Sequence, residues 1–147
     1  MRKLANGVLR QAYISLLRNN ISVNGVNVPI YNKVPNNATK PLIEIIGQNS
    51  ILGAEDTQDS FMSEAVIPIR ILTASTGGAG GDEQAEYIAD KVLNLLEPNI
   101  SGEYALVVDG YKITNIEHNL DTFNFQSGNE YQTHLILTVS HDLQQLT

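Results

Sequence analysis

Three histidines, a group of carboxylates and a run of glycines are the residues of this 147-residue chain whose types could do chemistry. His118 follows Glu117, and His141 precedes Asp142. A zinc site on a helix needs ligands at i and i+4, and neither pair has that spacing. His134 falls where a strand would turn it outward, so all three read as surface histidines with no metal to hold. Glu55, Asp56 and Asp59 resemble the paired carboxylates of an acid/base site. Their surroundings are polar, with no aromatic or apolar cover to raise a pKa. This predicts a solvated acidic loop, and an enzyme acting through Asp56 and Asp59 would lack a visible acid/base pairing.

The run Gly77-Gly78-Ala79-Gly80-Gly81 before a helix invites comparison with a phosphate-binding loop. A Walker loop requires Gly-Lys-Ser/Thr, so that a lysine reaches the terminal phosphates. Here Asp82 and Glu83 follow instead and would repel phosphate. The alternative of a small-ligand or phosphate-binding domain rests on this loop alone. The stronger reading is a tether in which Gly77, Gly78, Gly80 and Gly81 stay mobile until a partner orders them. The chain has no cysteine, which excludes a disulfide framework, a thiolate nucleophile and a Cys-ligated metal site. No G-x-S-x-G elbow occurs. No catalytic residue, metal ligand or cofactor site is therefore expected.

The elements that would carry these residues follow from periodicity. Leu4, Val8, Ala12 and Leu16, flanked by Leu9, Tyr13 and Leu17, predict a helix from Lys3 to about Asn19. Asn19-Asn20 suits its exit, because Asn tolerates a left-handed backbone. Asn24-Gly25 between β-branched residues predicts a hairpin within Ile21–Tyr31, and Pro29 puts the returning strand at an edge or a bulge. Pro41–Gly47 is apolar on both faces and reads as a central strand. Gln48–Ser60 reads as a polar connection or hairpin tip. Phe61–Thr73 reads as a long strand with Phe61, Ala65, Ile67, Ile69 and Ile71 on one face, and Pro68 as an edge or a bulge. Asp82–Glu97 predicts a second helix: Asp82 as N-cap, an apolar stripe of Ala85, Ile88, Ala89, Val92, Leu93 and Leu96, and Pro98 as the stop. Tyr104–Val108 and Tyr111–Ile116 read as strands joined at Asp109-Gly110. Asn119–Asn129 reads as a polar loop and Tyr131–Ser140 as the last strand. The resulting order is α-β-β-β-β-α-β-β-β. It describes one α+β domain over residues 1–147, a mostly antiparallel sheet with two helices on one face.

Charge separates along the chain. Met1 to Asn49 holds six basic residues and one acid (+5), and Ser50 to Thr147 three basic residues and fifteen acids (−12), which sum to the net −7. An acidic total argues against wrapping nucleic acid. No apolar run approaches the roughly 18–20 residues that span a bilayer. Asn6, Arg10 and Gln11 interrupt any signal-peptide core, which predicts a protein used without export. Arg2, Arg10 and Arg18 fall in one broad sector of the first helix, either a solvated face or a cationic surface for an acidic neighbour.

Four segments resemble the tail-completion, or tail-terminator, family of tailed bacteriophages. Leu9-Arg-Gln-Ala-Tyr-Ile-Ser-Leu-Leu17 resembles its first helix. Val28-Pro-Ile-Tyr-Asn-Lys-Val-Pro35 resembles its first strand and loop, and Pro41-Leu-Ile-Glu-Ile-Ile-Gly47 the next strand. The strand through Ile71, the glycine loop and Glu86–Leu96 resemble its long strand and second helix. The resemblance implies a non-enzymatic virion protein of the tail or neck that forms a closed ring, hexameric or up to twelve-fold in the neck. Such a ring ends tail-tube growth, meets the head connector, and lets genome DNA pass without specific binding, with no membrane partner. A head-to-tail ring needs two different complementary patches on each subunit. Arg2, Arg10 and Arg18 on one side, and Glu55, Asp56 and Asp59 on the other, are the expected subunit contacts.

Overall fold

In the computed structural model, which describes residues 6–46, 49–52, 62–76, 81–127 and 130–146, the first helix, α1, spans Asn6–Leu17. It buries Leu9, Ala12, Tyr13 and Leu17, while Val8 and Leu16 are half-buried. The centre of its buried face is thus the Leu9–Tyr13–Leu17 row, one residue round from the four-spaced row of the sequence reading. Asn19 ends the helix with φ 63°, and the Asn20 side-chain amide donates to the Leu16 carbonyl at 2.7 Å. A two-stranded ribbon follows, β1 (Ser22–Val23) and β2 (Val26–Asn27). Its turn places Asn24 at φ 52° and Gly25 at φ 81°, the positive angles that an Asn-Gly hairpin requires.

The main sheet comprises β3 (Ile30–Tyr31), β4 (Leu42–Ile45), β5 (Asn49–Leu52), β6 (Met62–Thr76), β7 (Tyr111–Ser127) and β8 (Glu130–Gln145). Its order is β3-β4-β6-β8-β7, with β5 also on β6. All pairings are antiparallel except β3 with β4. The fold is α+β with two helices and a mostly antiparallel sheet, as expected. The second helix, α2, spans Gly81–Leu96 and buries Ala85, Ile88, Ala89, Val92 and Leu96. It packs on β6 and β8, whereas α1 packs on β3, β4 and α2. One core lies beneath both helices, built on Ala65, Ile67, Ile69 and Ile71 of β6 and Leu135, Leu137, Val139 and Leu143 of β8. Period-two alternation supplies that face on each strand. Among the described residues no helix is long and apolar enough to cross a membrane.

Several strand expectations are corrected. Tyr104–Val108 pairs with no strand and bends at Ala105: Leu106 and Val108 are buried and Val107 is exposed. Alternating burial of side chains produced the strand pattern without a ladder. Asp109-Gly110 turns the chain into β7, with the Tyr111 amide donating to the Val108 carbonyl at 3.0 Å. Asn119 to Ser127, expected as a loop, continues β7 against β8. Asn49–Leu52, read as part of a polar connection or a hairpin tip, is itself a strand antiparallel to β6.

Pro68 lies neither at an edge nor at a bulge of β6, whose register with β8 runs unbroken from Met62 to Thr76. Its carbonyl accepts from the Ile46 amide at 3.0 Å, so its backbone faces the side shared by β4 and β5. β4 pairs with β6 up to Ile69 and β5 from Val66. Pro68 faces the interval between them, and its missing N–H costs no bond to β8.

Candidate assembly interface

The charge split of the sequence becomes a division across the sheet. α1 lies on β3 and β4 and carries half-buried Arg10, with exposed Arg18 just beyond its end and exposed Lys33 just beyond β3. Among the described residues, none of the three has an ion-pair partner. At the opposite edge, β7 and the connection before it carry Glu97, Glu103, Asp109, Glu117 and Asp121, with Lys112 the one basic residue of that stretch. One end of the sheet is therefore basic and the other acidic. Arg2, Glu55, Asp56 and Asp59 lie outside the described residues, as do Gly77, Gly78 and Gly80. Arg10 and Arg18 keep to one end of the fold.

The face of the sheet turned away from the helices has its own pattern. Tyr31, Glu44, Arg70, Ile136 and Asp121 form one row across five strands. Arg70 Nη2 pairs with Glu44 Oε1 beneath partial cover, while Arg70 Nε is buried without a partner. Towards one end, Leu42 and Leu72 are buried, and the Phe125 ring meets His134 edge-on at 4.8 Å between centroids. Burial, followed by the charges of Arg70 and Lys40, holds His134 below the usual histidine pKa. Lys40 Nζ reaches Glu130 Oε1 at 3.0 Å and lowers that carboxyl's pKa. Towards the other end, Glu64, Glu117 and Asp142 share this face on three adjacent strands. With Asp121 they make it acidic.

His141 corrects the reading of three surface histidines. It continues the odd-numbered core face of β8 and is fully buried. Its Nδ1 lies 2.8 Å from the Ala65 carbonyl, and its Nε2 meets the Tyr13 hydroxyl. The extension of the Leu135–Leu137–Val139 alternation to residue 141 was the available signal. Burial pushes its pKa down to about 4, against smaller raising effects of the Ala65 bond and Asp142. His118 is exposed and His134 half-buried. No group of three potential metal ligands occurs among the described residues.

Gly81, assigned to the tether, is instead buried in the first turn of α2. A Cβ there would come within 3.2 Å of Thr133 Oγ1 and 3.4 Å of Ser75 Oγ. The Thr73 hydroxyl donates to the Gly81 carbonyl at 2.8 Å. Asp82 lies inside the helix rather than before it, and its carboxylate accepts from the Thr133 hydroxyl at 2.8 Å. With Glu83 it puts two carboxylates in the first turn, complementing the helix dipole where a phosphate would otherwise sit.

The outer half of β7 was missed as an element and as a surface. Every residue from Glu117 to Gln126 is exposed, and Leu120, Phe123 and Phe125 are 44%, 52% and 55% exposed. Their 120, 123, 125 spacing follows no single period, so neither a helix nor a strand pattern is visible in it.

The fold resembles one chain of a solved structure. That structure is described as the virion of a native gene transfer agent (GTA) particle. The likeness has a TM-score of 0.55 with 13% sequence identity, and covers 91% of this chain and 91% of that one. No protein-family model and no curated protein matches this chain. At that identity the likeness to the GTA virion chain establishes a shared fold alone.

Proposed function

We propose that this chain is a structural, non-enzymatic protein of a phage-like virion. It assembles head to tail into a closed ring at the tail or neck, ends tail-tube growth and meets the head connector. The observation that carries the reading is the shared fold, over nine-tenths of both chains, with a chain of the GTA virion. The basic and acidic ends of one sheet support the ring, because a head-to-tail interface needs two unlike patches. The acidic helix-free face suits a passage for DNA, since carboxylates repel phosphates and leave the duplex free to slide.

The test is the mass and shape of the purified protein. Light scattering and negative-stain imaging are expected to find a closed ring of six or more copies. A monomer at every concentration, with no ring in the assembled particle, would overturn the reading.

A further inference from the structure

The edge strand β7 is unprotected along its outer half. Edge strands of soluble proteins are blunted by lysine, proline, bulges or short length. From His118 to Gln126 there is no Lys, Arg or Pro, and Asp121 is the one charge. The single register shift of β7 lies between Ile113 and Asn115, far from this stretch. Among the described residues no strand pairs with its outer side.

The direction of the free backbone groups follows from Pro68. Its backbone faces β4 and β5, so its cross-strand partner Thr138 turns its own groups towards β7. Asn119, opposite Thr138, faces β8 in return. Alternation then points the backbone groups of Leu120 and Thr122 outward, beside the exposed side chains of Leu120, Phe123 and Phe125.

We infer that the outer half of β7 is a strand-docking edge that receives the opposite, β3–β5 edge of a second copy of this chain. This rests on the ring reading above and specifies its contact. Three observations select the occupant. Within the sheet, β3 and β5 also have no outer partner among the described residues. β7 and β6 run in the same direction, each antiparallel to β8, while β4 and its parallel neighbour β3 run against β6. The outer half of β7 is level with β3 along the row from Asp121 to Tyr31, so adding it to the next copy's β3 keeps the antiparallel order. The edges also differ in charge: Asp121 lies in the row that ends at Tyr31, and exposed Lys33 follows two residues later. Pairing unlike edges removes both from solvent in a closed ring, and it leaves the helices and the acidic face on opposite sides of the wall.

Thr122→Pro tests the inference, because the Thr122 amide points away from β8. Proline there blocks an incoming strand without removing a bond of the β7–β8 ladder. With folding checked by circular dichroism, wild type and Thr122→Ala are expected to form rings, and Thr122→Pro to lose at least about tenfold in association. Asp121→Lys and Lys33→Glu should each weaken assembly at low salt, and a one-to-one mixture should restore it through alternating copies. Rings of unchanged affinity with folded Thr122→Pro would overturn the docking edge and leave the ring reading standing. A two-fold dimer abolished by Thr122→Pro would overturn the head-to-tail occupant. Should Thr122→Pro unfold, the charge-swapped mixture decides, and its failure to restore assembly overturns the inference. A monomeric wild type overturns both readings.

Discussion

Tyr13 on α1 and His141 on β8 share a buried hydrogen bond between residues 128 positions apart. The Ala65 carbonyl can only accept, so His141 Nδ1 carries the proton and Nε2 accepts from the Tyr13 hydroxyl. Tyr13→Phe leaves a buried acceptor without a donor. The expected loss of stability is about 1–3 kcal/mol. Tyr13→Phe combined with His141→Leu should cost less than the sum of the two single changes, because both polar groups leave together. Urea unfolding of the four proteins measures the coupling, and simple additivity would count against a direct bond.

The same histidine makes stability depend on pH. Its folded pKa of about 4 lies below the unfolded value of 6.5. As pH falls below 6.5 the unfolded chain takes up a proton that the folded chain refuses, so stability is lost until about pH 4 and is fully present above pH 6.5. The shift corresponds to roughly 3 kcal/mol. Half-buried His134 contributes in the same direction. Unfolding free energies measured between pH 7.5 and 4.5 should fall steeply for wild type and less for His141→Gln. Parallel curves would refute the assignment.

The start of α2 is sensitive to single atoms. Thr133→Val removes the donor to Asp82 and should destabilise by about 1 kcal/mol. Gly81→Ala forces a methyl against Thr133 Oγ1, which the Asp82 bond holds in place, with a cost of about 1 kcal/mol or more. Thermal melts should place both midpoints a few degrees below wild type. A raised midpoint for Gly81→Ala would mean that the hydroxyl moves aside freely.

Assembly should respond to salt through the basic end. Reversing Arg10 and Arg18 to Glu is expected to weaken ring formation more at low than at high ionic strength, because exposed charges are screened. Sedimentation at two salt concentrations measures this. Equal assembly at low salt would make both arginines merely solvated.

How much of this was legible depended on whether a pattern was local. The α2 stripe, the Asn24-Gly25 turn, the left-handed Asn19 and the core face of β6 each follow from side-chain period or a backbone preference within a few residues. The outer half of β7 does not, because an edge strand exposed on both faces has no alternation to display. Tyr104–Val108 has the alternation without the ladder. Pro68 reads as an edge signal because proline lacks a donor, yet the interval between β4 and β5 accommodates that lack inside the sheet.

The chain's own residues were enough to establish the α+β class, the two helices, the absence of cysteine chemistry and the unequal charge of its two halves, since all of these depend on composition or short-range order. Tertiary structure alone decided that the two charges lie at opposite ends of the sheet. The N-terminal helix lies over β3 and β4, while β7 closes the far side of β8. It also buried His141 against Tyr13. Those relationships come from strand order and helix placement, which long-range packing sets and no local spacing encodes.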